Sequence, residues 1–298
     1  MRVFIILLFT MIFFYGCKIE GGPDYKDDLS DYEVKKIVRE VLSSQHSVNG
    51  AGLVTSDGIN NLAKYKDQRD LYYNRYGCQN SGYASITFSE GDFSLTFSAD
   101  DSFSVNYHNC SFTPYYYDQT KLNGLIDITL HQDLYDYQNR LLDFSVNYTN
   151  IYLYTSFGQI YLDGDMGVLY DFDYFAQLLT VRFISNHLTI ENSGFGEKNI
   201  FSNVVLDFTM NTESYLYSYK YSGGLYNDYL GYLTFSTPVT LIGYKDKNPY
   251  GGKFKIMNEY MSITVIPLDD YYVDIIVQNR YSYIRNRTIH TTWINLGL

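Results

Sequence analysis

The chain is short of proline, tryptophan, cysteine and positive charge. Of 298 residues, five are Pro, one is Trp and three are Cys, and 22 Lys plus Arg stand against 33 Asp plus Glu. The formal charge of −11 argues against a nucleic-acid partner and against a polybasic contact with anionic headgroups, since both need clustered cations. No Gly-x-Ser-x-Gly elbow, Ser-x-x-Lys or phosphate-cradling Gly loop is present. The five histidines, His46, His108, His131, His187 and His290, show no metal-ligand spacing, and no pair of cysteines has Cys-x-x-Cys spacing. A noncatalytic protein is expected, with no catalytic residue, no metal and no dissociable cofactor. No apolar run reaches the roughly 20 residues of a membrane-spanning helix.

What is present begins at the N-terminus. Arg2 precedes a largely apolar run, Val3 to Tyr15, that stops at Gly16-Cys17-Lys18. A charged start, a short apolar stretch and a small-residue end describe an export signal. The segment Phe14-Tyr15-Gly16-Cys17 resembles the bacterial lipobox, with Phe14 where Leu is usual and Tyr15 where a small residue is usual. The resemblance implies that residues 1–16 are removed as a signal peptide, that Cys17 receives a covalent lipid, and that residues 17–29 tether one β-rich domain spanning 30–298. Two or more acyl chains hold a protein to a membrane stably where one does not. By the same analogy, Lys18 after the cysteine is compatible with sorting to the outer membrane of the cell envelope. In that oxidising setting the remaining pair, Cys78 and Cys110, is expected to form a disulfide.

Ser30-Asp31-Tyr32-Glu33 has capping-box spacing, and Val34, Ile37, Val38, Val41 and Leu42 recur at helical intervals, so one amphipathic helix is predicted over about 31–44. Its acidic flank favours packing on a sheet over lying on a membrane. From Gly82 the period becomes two: Ala84, Ile86 and Phe88, then Phe93, Leu95 and Phe97, then Phe103, Val105 and Tyr107 alternate with small polar residues. Further alternating runs include 144–154, 158–162, 179–183, 187–191, 204–210 and 289–294, separated by Gly- or Asn-containing turns. Scarce proline and short turns fit antiparallel hairpins. The fold expected is all-β, a long curved antiparallel meander closing into a half-open or closed barrel, with the two-sheet β-sandwich as alternative. Asp163-Gly164-Asp165-Met166-Gly167 reads as a tight hairpin turn, because a calcium loop would need further ligands. Leu141 to Gly158 can be laid on Leu178 to Gly196 at a spacing near 37 residues.

The stretch Cys78 to Cys110, the strand Leu122-Asn123-Gly124-Leu125-Ile126-Asp127-Ile128-Thr129 and the C-terminal Thr291-Thr292-Trp293 occur in that order. With the lipobox, this order resembles a family of uncharacterised proteobacterial lipoproteins carrying a two-cysteine β-hairpin region and a Thr-Thr-Trp terminus. The family implies a location and a fold, and no activity.

Aromatic content is high, with 34 Tyr and 19 Phe. Tyr215, Tyr217, Tyr219 and Tyr221 alternate and so share one strand face, the best local candidate for an exposed aromatic binding face. The function expected is a membrane-anchored envelope lipoprotein serving as a binding or surface module, its partner an envelope protein, a lipid or a glycan. A lipid or apolar-ligand carrier of half-barrel type is one alternative, and a carbohydrate-binding lipoprotein is another.

Overall fold

A computed structural model of the chain describes residues 29–42, 75–78, 80–90, 99–112, 120–132, 141–155, 158–192, 197–228, 231–280 and 286–298. The export signal, Cys17 and most of the tether lie outside the described residues. Helix α1 covers residues 31–42, and positions 43–44 of the expected helix also fall outside. The capping box is formed: Ser30 N donates to Glu33 Oε2 at 2.7 Å and Glu33 N donates to Ser30 Oγ at 3.3 Å, so two orphan donors of the first turn are met reciprocally.

Fourteen strands follow: β1 (Arg75–Gly77), β2 (Ser81–Glu90), β3 (Ser102–Phe112), β4 (Thr120–Leu130), β5 (Leu141–Thr155), β6 (Gly158–Asp173), β7 (Leu178–Asn192), β8 (Glu197–Asn211), β9 (Leu216–Asn227), β10 (Gly231–Tyr244), β11 (Gly251–Met257), β12 (Met261–Pro267), β13 (Tyr272–Asn279) and β14 (Arg287–Thr292). They form one sheet in sequence order, β1 through β14, with antiparallel pairing. One sheet replaces the two of the sandwich alternative. Among the described residues no ladder joins β14 to β1, so the meander is open. A short helix, α2 (Trp293–Leu296), ends the chain where the alternation had extended the last strand to Ile294. Thr292 caps it by accepting from Asn295 N, and Trp293 and Leu296 are buried.

A sheet with one apolar face must cover that face. The inward side chains of β2 to β14 and the α1 stripe Val34, Ile37, Val38, Val41 and Leu42 belong to one buried cluster, with Trp293 and Leu296 at its end. Helix α1 therefore lies against the inner face of the sheet. At its start, Arg287 Nε on β14 donates to Asp31 Oδ1 at 2.7 Å, and Arg287 Nη2 donates to Leu29 O. Outward positions are polar: Arg182 pairs with Asp207 at 3.1 Å and Thr209 with Ser218 at 2.6 Å across β7, β8 and β9.

Bulges interrupt the long strands and bend them. Asn109, Asn150 and Asn203 take left-handed backbone, at φ near 50°. The displaced N–H of Asn109 donates to Asn123 Oδ1 at 2.7 Å and that of Asn150 to Asp163 Oδ1 at 3.2 Å. Asn186 N and His187 N both donate to Asp165, at 3.1 and 3.0 Å. Each acceptor sits beside a glycine, Gly124 or Gly164, whose bare Cα lets the bulged backbone approach. The Asp163-Gly164-Asp165 segment is thus the middle of β6 and not a turn, and the runs 179–183 and 187–191 are one strand, β7. The residues paired in the 37-residue echo, Asn150 and Asn186, occupy corresponding bulge sites.

Cys78 and Cys110 lie at disulfide distance, with Cα atoms 5.3 Å apart and a sequence separation of 32. The bridge ties the end of β1 to β3. Reduction should lower unfolding stability by about 3–4 kcal/mol on the chain-entropy account, read from denaturant midpoints with and without reductant; equal midpoints would exclude a stabilising bridge. At Gly124, φ is +119° and an added Cβ would sit 2.3 Å from Asn150 O. Gly124→Ala should cost about 1–3 kcal/mol. Gly167→Ala, whose Cβ would meet only Ile184 O at 3.7 Å, should cost far less in the same denaturation experiment.

Candidate functional site: an apolar cavity under the helix

The described part of helix α1 spans twelve residues, about 18 Å at 1.5 Å per residue, and among the described residues it leaves part of the inner face uncovered. Between its last turn and the sheet lies a cavity of ≈ 430 Å³. Leu42 of α1 forms the roof. The floor is three adjacent strands: Val181 and Phe183 of β7, Leu206 and Phe208 of β8, Tyr217 and Tyr219 of β9. The ladder places these residues side by side, since Val181 pairs with Phe208 and Phe208 with Tyr219. Inward side chains on neighbouring strands stand on one face at about 5 Å spacing, so the pairing turns three separate alternations into one apolar floor. Lys247, Asn248 and Pro249, from the β10–β11 turn, and Trp293 and Leu298, from the C-terminus, complete the wall.

The tyrosine ladder enters this site. Tyr215 is 52% exposed, Tyr217 is half-buried, Tyr219 is 8% exposed and Tyr221 is fully buried. On β9 the shared face of Tyr217, Tyr219 and Tyr221 is the inner one, and Tyr215 lies in the turn before the strand, in left-handed backbone, so the four do not make an exposed binding patch: the series descends from solvent into the core. Period two assigns residues to a common face without saying which face looks inward. Phe208 and Tyr217 rings stack at 6.2 Å and Tyr217 and Tyr219 lie 6.0 Å apart. Deeper, Tyr221 packs on Phe235 at 4.4 Å.

Polar groups at the site are few and engaged. Tyr217 Oη donates to Lys247 O at 2.8 Å, fixing the turn against the floor. Lys247 Nζ reaches Asp270 Oδ2 at 2.6 Å; that hydrogen bond and the attraction between the two charges raise the ammonium and lower the carboxyl from their usual values. Both groups are exposed, so the pair orders the turn more than it stabilises the fold. Burial pushes the Tyr217 phenol up to about 12, so it stays a neutral hydrogen-bond donor well into the alkaline range. The wall can therefore hold an apolar molecule by contact.

The other candidates are dispersed. His108 stacks on Tyr83, His187 contacts Thr189, and His290 Nδ1 meets Asp274 Oδ1 at 2.6 Å on the outer surface of β13 and β14. Among the described residues no group of three or more His, Cys, Asp or Glu could hold a metal, and no helix is long and apolar enough to cross a membrane. The cavity itself was not visible as a motif. Its floor draws on residues 181 to 219, its wall on residues 247 to 298 and its roof on residue 42, which only the sheet order brings together.

No family model matches the chain, and neither a curated protein nor a solved structure matches it. Function must rest on the geometry.

The folded state holds the Tyr217 proton between pH 10 and about 12 while the unfolded chain releases it, so stability falls as pH rises through that window. Tyr217→Phe should flatten this alkaline fall, while near neutral pH losing a hydrogen bond of about 0.5–1.5 kcal/mol. Chemical unfolding of both proteins across the window checks this; parallel pH profiles would contradict it.

Proposed function

We propose that the protein is a noncatalytic, lipid-anchored envelope lipoprotein that carries or stores a single-chain lipid, a half-barrel carrier whose sheet and helix enclose an apolar ligand. The observation that carries this is the ≈ 430 Å³ cavity floored by Val181, Phe183, Leu206 and Phe208. The size falls within the roughly 300–1,000 Å³ of small-molecule sites. A space of this size suits an acyl chain, whose methylene groups the floor can meet by contact.

Two further observations support an interior ligand. Arg182, Asp207 and Lys220 lie on the outward positions of β7, β8 and β9, and charges there would be costly on a face turned to hydrocarbon. A filled core would have suited a purely structural module, whereas an apolar space left open among the described residues forfeits contact energy unless something occupies it. The anchor rests on the lipobox resemblance, with Cys17 as lipid site, and places the carrier at the envelope, on the outer-membrane side. The lipoprotein family resembled in sequence is compatible with this role.

Native mass spectrometry of protein isolated from its own cells should show a retained mass of one acyl-chain lipid. Val181→Trp, which fills the floor, should weaken binding of a fluorescent fatty acid by at least about tenfold with the thermal midpoint little changed. Equal binding by the parent and the Val181→Trp protein would place any ligand elsewhere.

A further inference from the structure

The cavity has a mouth, and the mouth has an unusual border. In an antiparallel meander, turns that follow even-numbered strands all lie at one end of the sheet. The described turns at that end are 174–177 between β6 and β7, 212–215 between β8 and β9, 245–250 between β10 and β11, and 268–271 between β12 and β13; α2 joins them after β14. The cavity opens there, since Lys247 to Pro249, Trp293 and Leu298 all belong to this end. Most of the large apolar side chains exposed among the described residues crowd the same end. Phe175 is 93% exposed, and Tyr174, Tyr215, Leu268, Tyr271 and Ile294 are each about half exposed or more.

We infer that this rim of turns is a membrane-docking surface that seats in the interface of a zwitterionic phospholipid bilayer, with the cavity mouth facing the lipid. Docking rests on the exposed side chains themselves; only its use, loading or unloading the cavity, rests on the proposed carrier role. Tyrosine and phenylalanine dominate the rim, and an amphipathic ring of tyrosine suits the headgroup level, where one end is apolar and the other wet. The tips surround an opening and form no flat patch, as expected of a surface that must let a chain pass.

Charge selects the kind of bilayer. The turns carry Asp173, Glu213, Asp246, Asp269 and Asp270 against Lys245 and Lys247. Lys247 is paired with Asp270, and the Lys245 ammonium lies over the Tyr215 ring, 5.5 Å from its centroid. A rim of this balance gains nothing from an anionic surface. Side-chain carboxylates hold the turns in shape: Asp173 Oδ1 accepts from Phe175 N at 2.8 Å and Ala176 N at 3.0 Å, and Asp269 Oδ1 accepts from Tyr271 N at 2.8 Å. Rigid tips lose little conformational freedom on insertion. Lipid anchoring is no obstacle: the eleven residues between Cys17 and Leu29 reach up to about 40 Å, more than the length of α1, so anchor and rim can share one bilayer.

The test uses the chain from Lys18 to Leu298, which keeps every described element and the whole core cluster and has no acyl chain of its own. It is sedimented with vesicles of palmitoyl-oleoyl-phosphatidylcholine. The parent should bind, and Tyr174→Ser/Phe175→Ser should lower the partition coefficient by at least about tenfold, while keeping the main-chain Phe175 N and Tyr174 O that bond Asp173 and Gln177 in that turn. Tyr154→Ser/Tyr232→Ser, at the opposite end, should bind as the parent does. Thermal midpoints confirm that both variants fold. Absence of binding by the parent, equal binding by the rim variant, binding only when anionic lipid is added, or a self-association that the rim variant abolishes in place of vesicle binding would each overturn docking. Fatty-acid binding in solution, measured on the same proteins, separates the two claims. The rim variant should retain it, and Val181→Trp should lose it while still binding vesicles.

Discussion

A single sheet with one apolar face leaves that face uncovered unless something else lies on it, and among the described residues α1, twelve residues of it, lies on the inner face of fourteen strands. The α1 stripe from Val34 to Leu42 satisfies the inner face near β14, where Arg287 grips Asp31. At the last described turn of the helix, Val181, Phe183 and Phe208 point inward beneath Leu42 without filling the space between them, and the cavity is the result. Among the described residues, the cavity follows from this mismatch between the area of apolar sheet and the helix that lies on it.

The sheet can wrap around so short a helix because its long strands are bent. Strands of fifteen or sixteen residues would stay nearly straight if every residue paired, and their inner side chains could not meet in one core. Asn109, Asn150 and Asn203 break the ladder in left-handed backbone; Asn123 and Asp163 on adjoining strands accept the N–H groups displaced at Asn109 and Asn150, and Asp165 accepts those of Asn186 and His187 at the β7 bulge. The bend therefore leaves few orphaned donors. Gly124 and Gly164 are required at the facing positions because any Cβ would collide with carbonyl oxygen, at 2.3 Å and 2.2 Å respectively.

Much of the fold was legible in the sequence because its determinants are local. The capping box at Ser30 and Glu33, the apolar stripe of α1 and the alternation through Ala84, Ile86, Phe103 and Val105 each rest on spacings of two to four residues. What failed to show depends on the neighbouring strand. Asp163-Gly164 is equally good chemistry for a hairpin turn and for the partner of a bulge, and the Asn150 N–H across the ladder decides between them. The Tyr217 to Tyr221 alternation states a common face, but inwardness comes from Phe208 and Phe235 on either side. Trp293 continues an alternating run yet starts a helix, since Thr292 caps it and the indole must reach the core. The site itself, assembled from Leu42, β7 to β9 and the C-terminus, has no signature shorter than the whole topology.

The claim most open to direct trial is that the unfilled apolar space is a binding site and not a packing defect. A crystal structure of the protein isolated from its own cells, without added lipid, tests it. Continuous rod-shaped density running between Leu42 and the Val181–Phe208–Tyr217 floor towards the Lys247 turn is the predicted result. A collapsed cavity, with side chains of this chain closed over that floor and no density between them, would contradict the account.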